Sequence, residues 1–174
     1  MSVPCWAQLG ALTQKLRRGF HEVDAVSYLH HRRQLVAYFA RCHDALRPGG
    51  VLVVDTFGGH GAMVPFKHRR PVGSARYTFE QVTYDAVTAR SLCHIHFRFP
   101  DGSVLRNCFT YDWRRYSLPE LVDAMAEAGF APPAVWVATT DTSSGAFEEE
   151  FRLHDDNVPL DAEHWNAYVV ARKL

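Results

Sequence analysis

Two histidines in a strand-like stretch are the residues whose types and spacing point most directly to chemistry. His94 and His96 are separated by one residue in SLCHIHFRF, residues 91–99. Because side chains two residues apart in a β-strand lie on the same face, both imidazoles can face one site. Such a pair supplies half of a metal site or a proton acceptor near neutral pH. No third ligand stands at a convincing spacing, so the sequence favours a polar pocket wall or plain surface over a metal site.

The most apolar strand of the chain ends on a carboxylate and a glycine pair. In HDALRPGGVLVVDTFGG, residues 43–59, a helix end and a two-glycine stop precede the run Val51 to Val54, and Asp55 and Gly58-Gly59 follow. A strand that is apolar on both faces is typical of the middle of a parallel sheet covered by helices on each side. The stretch therefore predicts an α/β protein.

The residues around the two histidines predict an antiparallel sheet. Three stretches rich in β-branched and aromatic residues follow one another: YTFEQVTYD (77–85), SLCHIHFRF (91–99) and VLRNCFTYDW (104–113). Pro100-Asp101-Gly102-Ser103 joins the second to the third and is a strong hairpin signal. We predict a three-stranded insert at 77–113.

The hairpin turn also sets an expected register, in which Asn107 and Phe109 lie opposite the two histidines. The preceding stretch, residues 60–76, contains two prolines, two glycines and several basic residues without periodicity. This composition predicts a loop.

Apolar residues at helical spacing predict three helices. The first lies at 1–19, and the second has an inner stripe of Leu35, Phe39, Cys42 and Leu46 and ends at Pro48-Gly49. The third begins at the capping box Ser117-Leu118-Pro119-Glu120 and ends at Gly129.

Short β-compatible runs at 23–29, 135–140 and 166–174 complete the secondary structure. At 174 residues the chain is long enough for one domain. The predicted organisation is a single domain, 1–174, with an N-terminal helix (1–19), an α/β core (20–59 and 114–174) and an antiparallel insert (77–113).

Composition excludes several classes of function. Nineteen basic residues balance nineteen acidic ones, so the chain has no broad positive field for nucleic acid. The longest aliphatic run, Val51 to Val54, is far too short for a membrane span, and the N-terminus has no secretory pattern. Cys5, Cys42, Cys93 and Cys108 lack metal-binding spacing. We expect a cytoplasmic protein.

The order of these elements carries a family resemblance. A helix, LRPGG, an apolar strand ending in Asp, an insert, YSLPELVDAMAEAGF and two closing strands together resemble the C-terminal portion of class I S-adenosylmethionine-dependent methyltransferases. The similarity covers about residues 23–174 and is to small bacterial members with a three-stranded insert. It implies the second half of a Rossmann-like sheet, with 51–57 as the fifth strand and an antiparallel closing pair at 135–140 and 166–174.

The resemblance also implies a site. In such a sheet ligands bind beyond the carboxyl ends of the parallel strands, which makes Asp55 a pocket residue; the alternative is that Asp55 caps a loop and the glycines make a turn. The insert commonly covers the substrate entrance in this family, so His94, His96, Tyr111 and Trp113 are candidates for a substrate-facing wall. The implied reaction is methyl transfer to a small molecule, without a metal and without an identified catalytic residue.

The family's cofactor site is the part that the sequence does not supply. Only 22 residues precede the first predicted strand, and the glycines before Gly49 are the isolated Gly10 and Gly19. We therefore expect the chain to lack the glycine-rich half that binds S-adenosylmethionine in intact relatives, and to be inactive alone. The alternatives are one chain of a split methyltransferase and a non-catalytic interaction module. In each case we expect the exposed strand at 23–29 to be covered by the N-terminal helix, a second copy or another chain.

Overall fold

A computed structural model of the chain describes residues 25–139, 151–155 and 157–174. The helix predicted at 1–19 and the acidic residues 148–150 lie outside the described residues. The helices are α1 (Arg32–Ala45) and α2 (Leu118–Glu127), and two short 3-10 turns lie at Ala25–Tyr28 and His60–Met63. The strands are β1 (Val51–Gly58), β2 (Phe66–Val72), β3 (Ala75–Asp85), β4 (Arg90–Arg98), β5 (Val104–Arg114), β6 (Ala134–Thr139), β7 (Arg152–Leu153) and β8 (Trp165–Arg172).

Both internal helices form where their sequence patterns predict. Leu35 and Phe39 of α1 are fully buried. At the start of α2, the Ser117 hydroxyl accepts a hydrogen bond from the Glu120 amide at 3.3 Å, and the Glu120 carboxylate accepts one from the Ser117 amide at 3.3 Å. This reciprocal capping satisfies two amide donors that the helix itself leaves without partners. Within the described ranges, no helix is long and apolar enough to cross a membrane.

The core sheet has the strand order β1-β8-β6-β7. Strand β8 lies between β1 and β6 and is antiparallel to both, so β1 and β6 run in the same direction. The closing antiparallel pair predicted at 135–140 and 166–174 is confirmed by this pairing. The fold class, a partial Rossmann-like α/β sheet with an antiparallel insert, is also confirmed.

The two faces of the core sheet have different surroundings. One face packs on the helices, where Val54 and Val169 join Phe39, Leu121 and Met125 in the hydrophobic core. Because side chains alternate along a strand, the neighbours of Val54 and Val169 lie on the opposite face. Asp55 and its cross-strand partner Tyr168 are on that face.

The insert sheet lies between β1 and α2 in the chain and has the order β2-β3-β4-β5. It therefore has four strands, and the prediction of three was wrong. The missed strand is β2, within the stretch 60–76 that composition assigned to a loop. Pro71 obscured it, but β2 is an edge strand, where proline costs no ladder hydrogen bond. The hairpin turn between β4 and β5 forms as predicted, with the Phe99 amide donating to the Ser103 carbonyl at 2.9 Å.

The strand predicted at 23–29 is not formed by its described residues, which contain the 3-10 turn Ala25–Tyr28. Val26 is buried in the core, and Leu29 packs against the same cluster. Two residues three apart share a face in a helical turn but not in a strand, so core packing selects the turn. The segment that follows is tied down by hydrogen bonds from Tyr116 Oη to the Leu29 carbonyl and from His30 Nε2 to the Asp112 carbonyl.

Strand β1 was predicted to lie in the middle of a parallel sheet. Among the described residues it pairs only with β8, antiparallel, and its other edge has no strand partner. Its apolar sequence reflects burial by α1 and α2 on one face and by the insert on part of the other.

Candidate functional site

A cavity of about 400 Å³ lies between the core sheet and the insert sheet. The core sheet contributes the end of β1 and the start of β8, and all four strands of the insert sheet contribute to the facing wall. Nine of its nineteen described lining residues are aromatic: Phe57, Phe66, Tyr77, Phe79, Tyr111, Trp113, Phe151, Trp165 and Tyr168. We call this space the intersheet cavity.

One wall of the intersheet cavity is built on alternate residues of β5. Phe109, Tyr111 and Trp113 lie on the same strand face, and we call them the aromatic ladder. The rings of Tyr111 and Trp113 are 4.5 Å apart at 18°, and those of Phe109 and Tyr111 are 6.4 Å apart at 3°. Trp113 is 4% exposed and Phe109 is 53% exposed, so the ladder runs from the interior to the surface.

A buried polar network supports the ladder. The Arg115 guanidinium lies 3.6 Å from the centre of the Phe57 ring and donates to Gln81 Oε1 at 3.3 Å. Gln81 is 1% exposed, and its Nε2 donates to the carbonyls of Ala62 and Val64 at 2.8 and 2.9 Å. A buried side-chain amide needs such hydrogen-bond partners, and the bonds from Gln81 join the insert sheet to the segment that follows β1.

Asp55 and Tyr168 form the polar part of the core-sheet wall. They are direct cross-strand partners, and both line the intersheet cavity. Burial, with a smaller contribution from the charge of Asp55, raises the pKa of Tyr168 to about 12. The Tyr168 hydroxyl therefore stays protonated at neutral pH, where it is a hydrogen-bond donor and not a base.

The glycine pair after β1 makes room for the protein's own chain. A Cβ on Gly58 would lie 2.6 Å from Cη2 of Trp165, and one on Gly59 would lie 2.7 Å from the carbonyl carbon of Glu163. Gly59 also has φ 106° and ψ 167°, a conformation open almost only to glycine. The glycine pair therefore allows the close approach of residues 163–165, which carry the chain into β8.

The structure brings Asp55, Tyr111 and Trp113 together at the intersheet cavity and places His94 and His96 on the opposite face of the insert sheet. Ile95, between them, lines the cavity. His94 Nδ1 lies 3.0 Å from Thr110 Oγ1, and His96 Nε2 lies 2.8 Å from Glu80 Oε2.

The tautomer of His96 follows from its contacts. Its Nδ1 accepts a hydrogen bond from the Asn107 amide at 3.0 Å, so Nε2 carries the proton that it donates to Glu80. Both ring nitrogens are therefore engaged within the sheet. The predicted register was wrong here, because a bulge with Asn107 at φ 52° places Thr110 opposite His94 and Phe109 opposite Ile95.

Several cavity residues were not predicted as site residues, and the basic run that contains His68 and Arg70 was interpreted as a solvated surface loop. His68 and Arg70 lie on alternate positions of β2, and His164 directly precedes β8. The alternation in FKHRRPV was the available signal for the first two, but the basic residues and proline concealed it. Burial lowers the pKa of His164, which keeps its imidazole neutral near pH 7. In the part of the chain that the structure describes, no three His, Cys, Asp or Glu side chains are grouped to hold a metal ion.

Comparison with known proteins identifies the fold. No protein-family model and no curated protein sequence matches the chain. The structure of the CcbJ methyltransferase from Streptomyces caelestis is similar with a TM-score of 0.55 and 15% identity, over 87% of this chain and 58% of that one. An S-adenosylmethionine-dependent methyltransferase from Clostridium acetobutylicum is similar with a TM-score of 0.57 and 13% identity, over 86% of this chain and 55% of that one.

The chain spans a little over half the length of both solved structures. At these identities the similarity concerns the fold. The order β1-β8-β6, with β8 antiparallel between two strands of common direction, agrees with it. The described residues therefore have the fold of part of a class I methyltransferase.

Proposed function

We propose that this chain provides the methyl-acceptor site of an S-adenosylmethionine-dependent methyltransferase that acts on a small molecule. The observation that carries this proposal is the intersheet cavity, which opens where β1 ends and which the insert sheet closes from the other side. Its volume of about 400 Å³ and its mainly aromatic lining suit a small organic ligand. Asp55, Tyr111 and Trp113 are the proposed acceptor-facing residues.

The contribution of these residues would be positioning. Group transfer is fast when the reacting atoms are held in line and close together, and much of the barrier can be removed in this way. Rigid rings such as Tyr111 and Trp113 orient a ligand and exclude water from it. The Tyr168 hydroxyl and the Asp55 carboxylate supply hydrogen-bonding groups of opposite kind on the facing wall.

The described residues do not fit the adenosyl group. A glycine pair after a strand would serve as a cradle only if the space beside it were open, and the space beside Gly58 and Gly59 is filled by Glu163 and Trp165. We therefore propose that the methyl donor is bound outside the described residues, by a second polypeptide or by further chain, and that the present chain alone does not transfer methyl groups.

Calorimetric titration tests the cofactor part of this proposal. S-adenosylmethionine and S-adenosylhomocysteine would each be titrated into the purified chain. We expect no saturable heat from either compound. A micromolar Kd for either one would show that the chain forms its own adenosyl site, and the split arrangement would be wrong.

Reconstitution tests the acceptor part. The chain would be coexpressed with the polypeptide encoded immediately upstream, and transfer of label from tritiated S-adenosylmethionine to a small-molecule extract of the source cells would be counted. We expect label in product only when both polypeptides are present. Tyr111→Ala should reduce the label at least tenfold, whereas Tyr38→Ala, at a 40%-exposed tyrosine of α1, should not. No label with either preparation, or equal label in the two variants, would refute the acceptor site.

A further inference from the structure

A buried donor without a partner marks the intersheet cavity. Trp113 is 4% exposed, and its Nε1 is buried and has no hydrogen-bond partner among the described residues. An indole N–H can only donate. Leaving such a donor unsatisfied destabilises the folded state, and native structures rarely keep one without a reason.

The surroundings of Trp113 are aromatic. Tyr111 stacks on its ring at 4.5 Å, Phe79 lies 6.1 Å away at 22°, and Phe57 meets it edge-on at 6.5 Å. Ring faces and edges are poor partners for a strong donor. Trp113 is one of the residues that line the cavity, so a ligand bound there could supply the acceptor.

The charges around the cavity favour a neutral ligand. Its lining contains two carboxylates, Asp55 and the exposed Glu163, and the Arg70 guanidinium, which lies 4.8 Å from the centre of the Tyr77 ring. Lys67 also belongs to the lining, but its Nζ is 2.9 Å from Glu80 Oε1, on the opposite face of the insert sheet. Neither sign of charge dominates, so the cavity does not select strongly for an ion.

We infer that the intersheet cavity takes a neutral ligand with a flat apolar ring and a hydrogen-bond acceptor, such as a carbonyl or ether oxygen, that bonds to Trp113 Nε1. The aromatic lining packs against the ring, and the indole N–H fixes its orientation. That this ligand is the methyl acceptor rests on the proposed function. The binding mode itself does not, since it requires neither a methyl donor nor turnover.

A matched pair of probes tests the inference. 1-Tetralone and tetralin have nearly the same bicyclic shape, but only the ketone carries an acceptor. Each would be titrated into uniformly ¹⁵N-labelled chain while the indole N–H signals of Trp6, Trp113, Trp136 and Trp165 are followed by NMR. The Trp113 signal is assigned by its loss in Trp113→Phe. Should that variant not fold, single replacement of the other three tryptophans assigns it by elimination.

We expect 1-tetralone to move the Trp113 indole proton downfield as a hydrogen bond forms, and tetralin to leave it within the small range caused by ring packing. Trp113→Phe should weaken the ketone about fivefold, the equivalent of one ordinary hydrogen bond, and leave tetralin unchanged.

Three results would overturn the inference: neither probe binds, both probes move the Trp113 signal equally, or Trp113→Phe binds the ketone as tightly as the parent. These outcomes are separable from the proposed function. If the reconstituted enzyme transfers methyl groups but 1-tetralone does not shift the Trp113 indole signal, the proposed function stands and only the proposed ligand class is wrong.

Discussion

The ring of Tyr111 lies 4.5 Å from the indole of Trp113, nearly parallel to it, on alternate residues of β5. Because Trp113 is buried and Tyr111 is partly buried above it, this stack closes the interior end of the intersheet cavity. Removing the upper ring would expose the lower one and leave a gap between the two sheets.

We therefore predict that Tyr111→Ala lowers the free energy of unfolding by about 2 kcal/mol through lost burial and stacking. Tyr38→Ala, at a tyrosine of α1 that is 40% exposed, should cost less than about 1 kcal/mol. Urea denaturation followed by tryptophan fluorescence measures both values. If both variants lose the same free energy of unfolding, the aromatic ladder stabilises the fold no more than a surface tyrosine does.

Gly59 provides a second prediction, because space and backbone conformation both demand glycine there. Gly59→Ala would push a Cβ against the Glu163 carbonyl and impose a strained backbone, so we expect a loss of at least about 3 kcal/mol. Gly73→Ala is the matched control, since Gly73 has φ 58° with nothing within 4 Å of its Cβ position. It should lose about 1 kcal/mol from backbone strain alone. Thermal unfolding that shifts equally in both variants would contradict the close packing of residues 163–165.

Because of Glu80, the free energy of unfolding should depend on pH in the acid range. The hydrogen bond from Lys67 is the main cause that holds the pKa of Glu80 below its ordinary value of 4.5, and the bond from His96 acts in the same direction while burial opposes them. The folded state therefore binds fewer protons than the unfolded state in this range. The contribution is fully present above about pH 4.5 and is lost as pH falls through the lowered pKa.

Glu80→Gln should abolish that dependence. The stability difference between parent and variant should be about 1 kcal/mol near pH 6, since the pair is partly exposed, and should shrink as the pH falls through the lowered pKa of Glu80. Urea unfolding at a series of pH values measures it. A difference that stays constant over this range would show that the carboxylate charge does not matter.

Ser117 caps α2, and replacing it should remove one capping hydrogen bond that another capping residue can restore. Ser117→Ala removes the acceptor for the Glu120 amide, which should cost about 1 kcal/mol. Ser117→Asp should restore most of this loss, because aspartate is an equally good cap and its charge suits a helix N-terminus. Comparable destabilisation by both substitutions, measured by chemical denaturation, would mean that the capping bond is dispensable.

Local signals were sufficient for about half of the fold. The stripe of Leu35 and Phe39, the capping box at Ser117 and the hairpin turn before Val104 are encoded by neighbouring residues, and each formed where it was predicted. The closing strands were also predicted, because their apolar runs are long and the elements around them follow a familiar order. Helix periodicity, caps and tight turns depend on residues within a few positions of one another.

The remaining features depended on contacts between distant segments. Whether residues 25–28 form a strand or a turn was decided by the core that receives Val26, and whether 66–72 form a loop or an edge strand was decided by pairing with β3. A single bulge near Asn107 changed which residues face His94. Short sequences carry weak preferences for such choices, and packing overrides them.

The candidate site divides in the same way. By itself the sequence determined the alternation that places His94 with His96, Tyr111 with Trp113, and Asp55 at the end of an apolar strand. Only the tertiary structure decided that the face bearing Tyr111, Trp113 and Ile95 turns toward Asp55 and Tyr168, while the histidines turn away. A strand pattern defines two faces but does not say which one is inward. That choice belongs to the sheet as a whole, which buries the face carrying more aromatic surface.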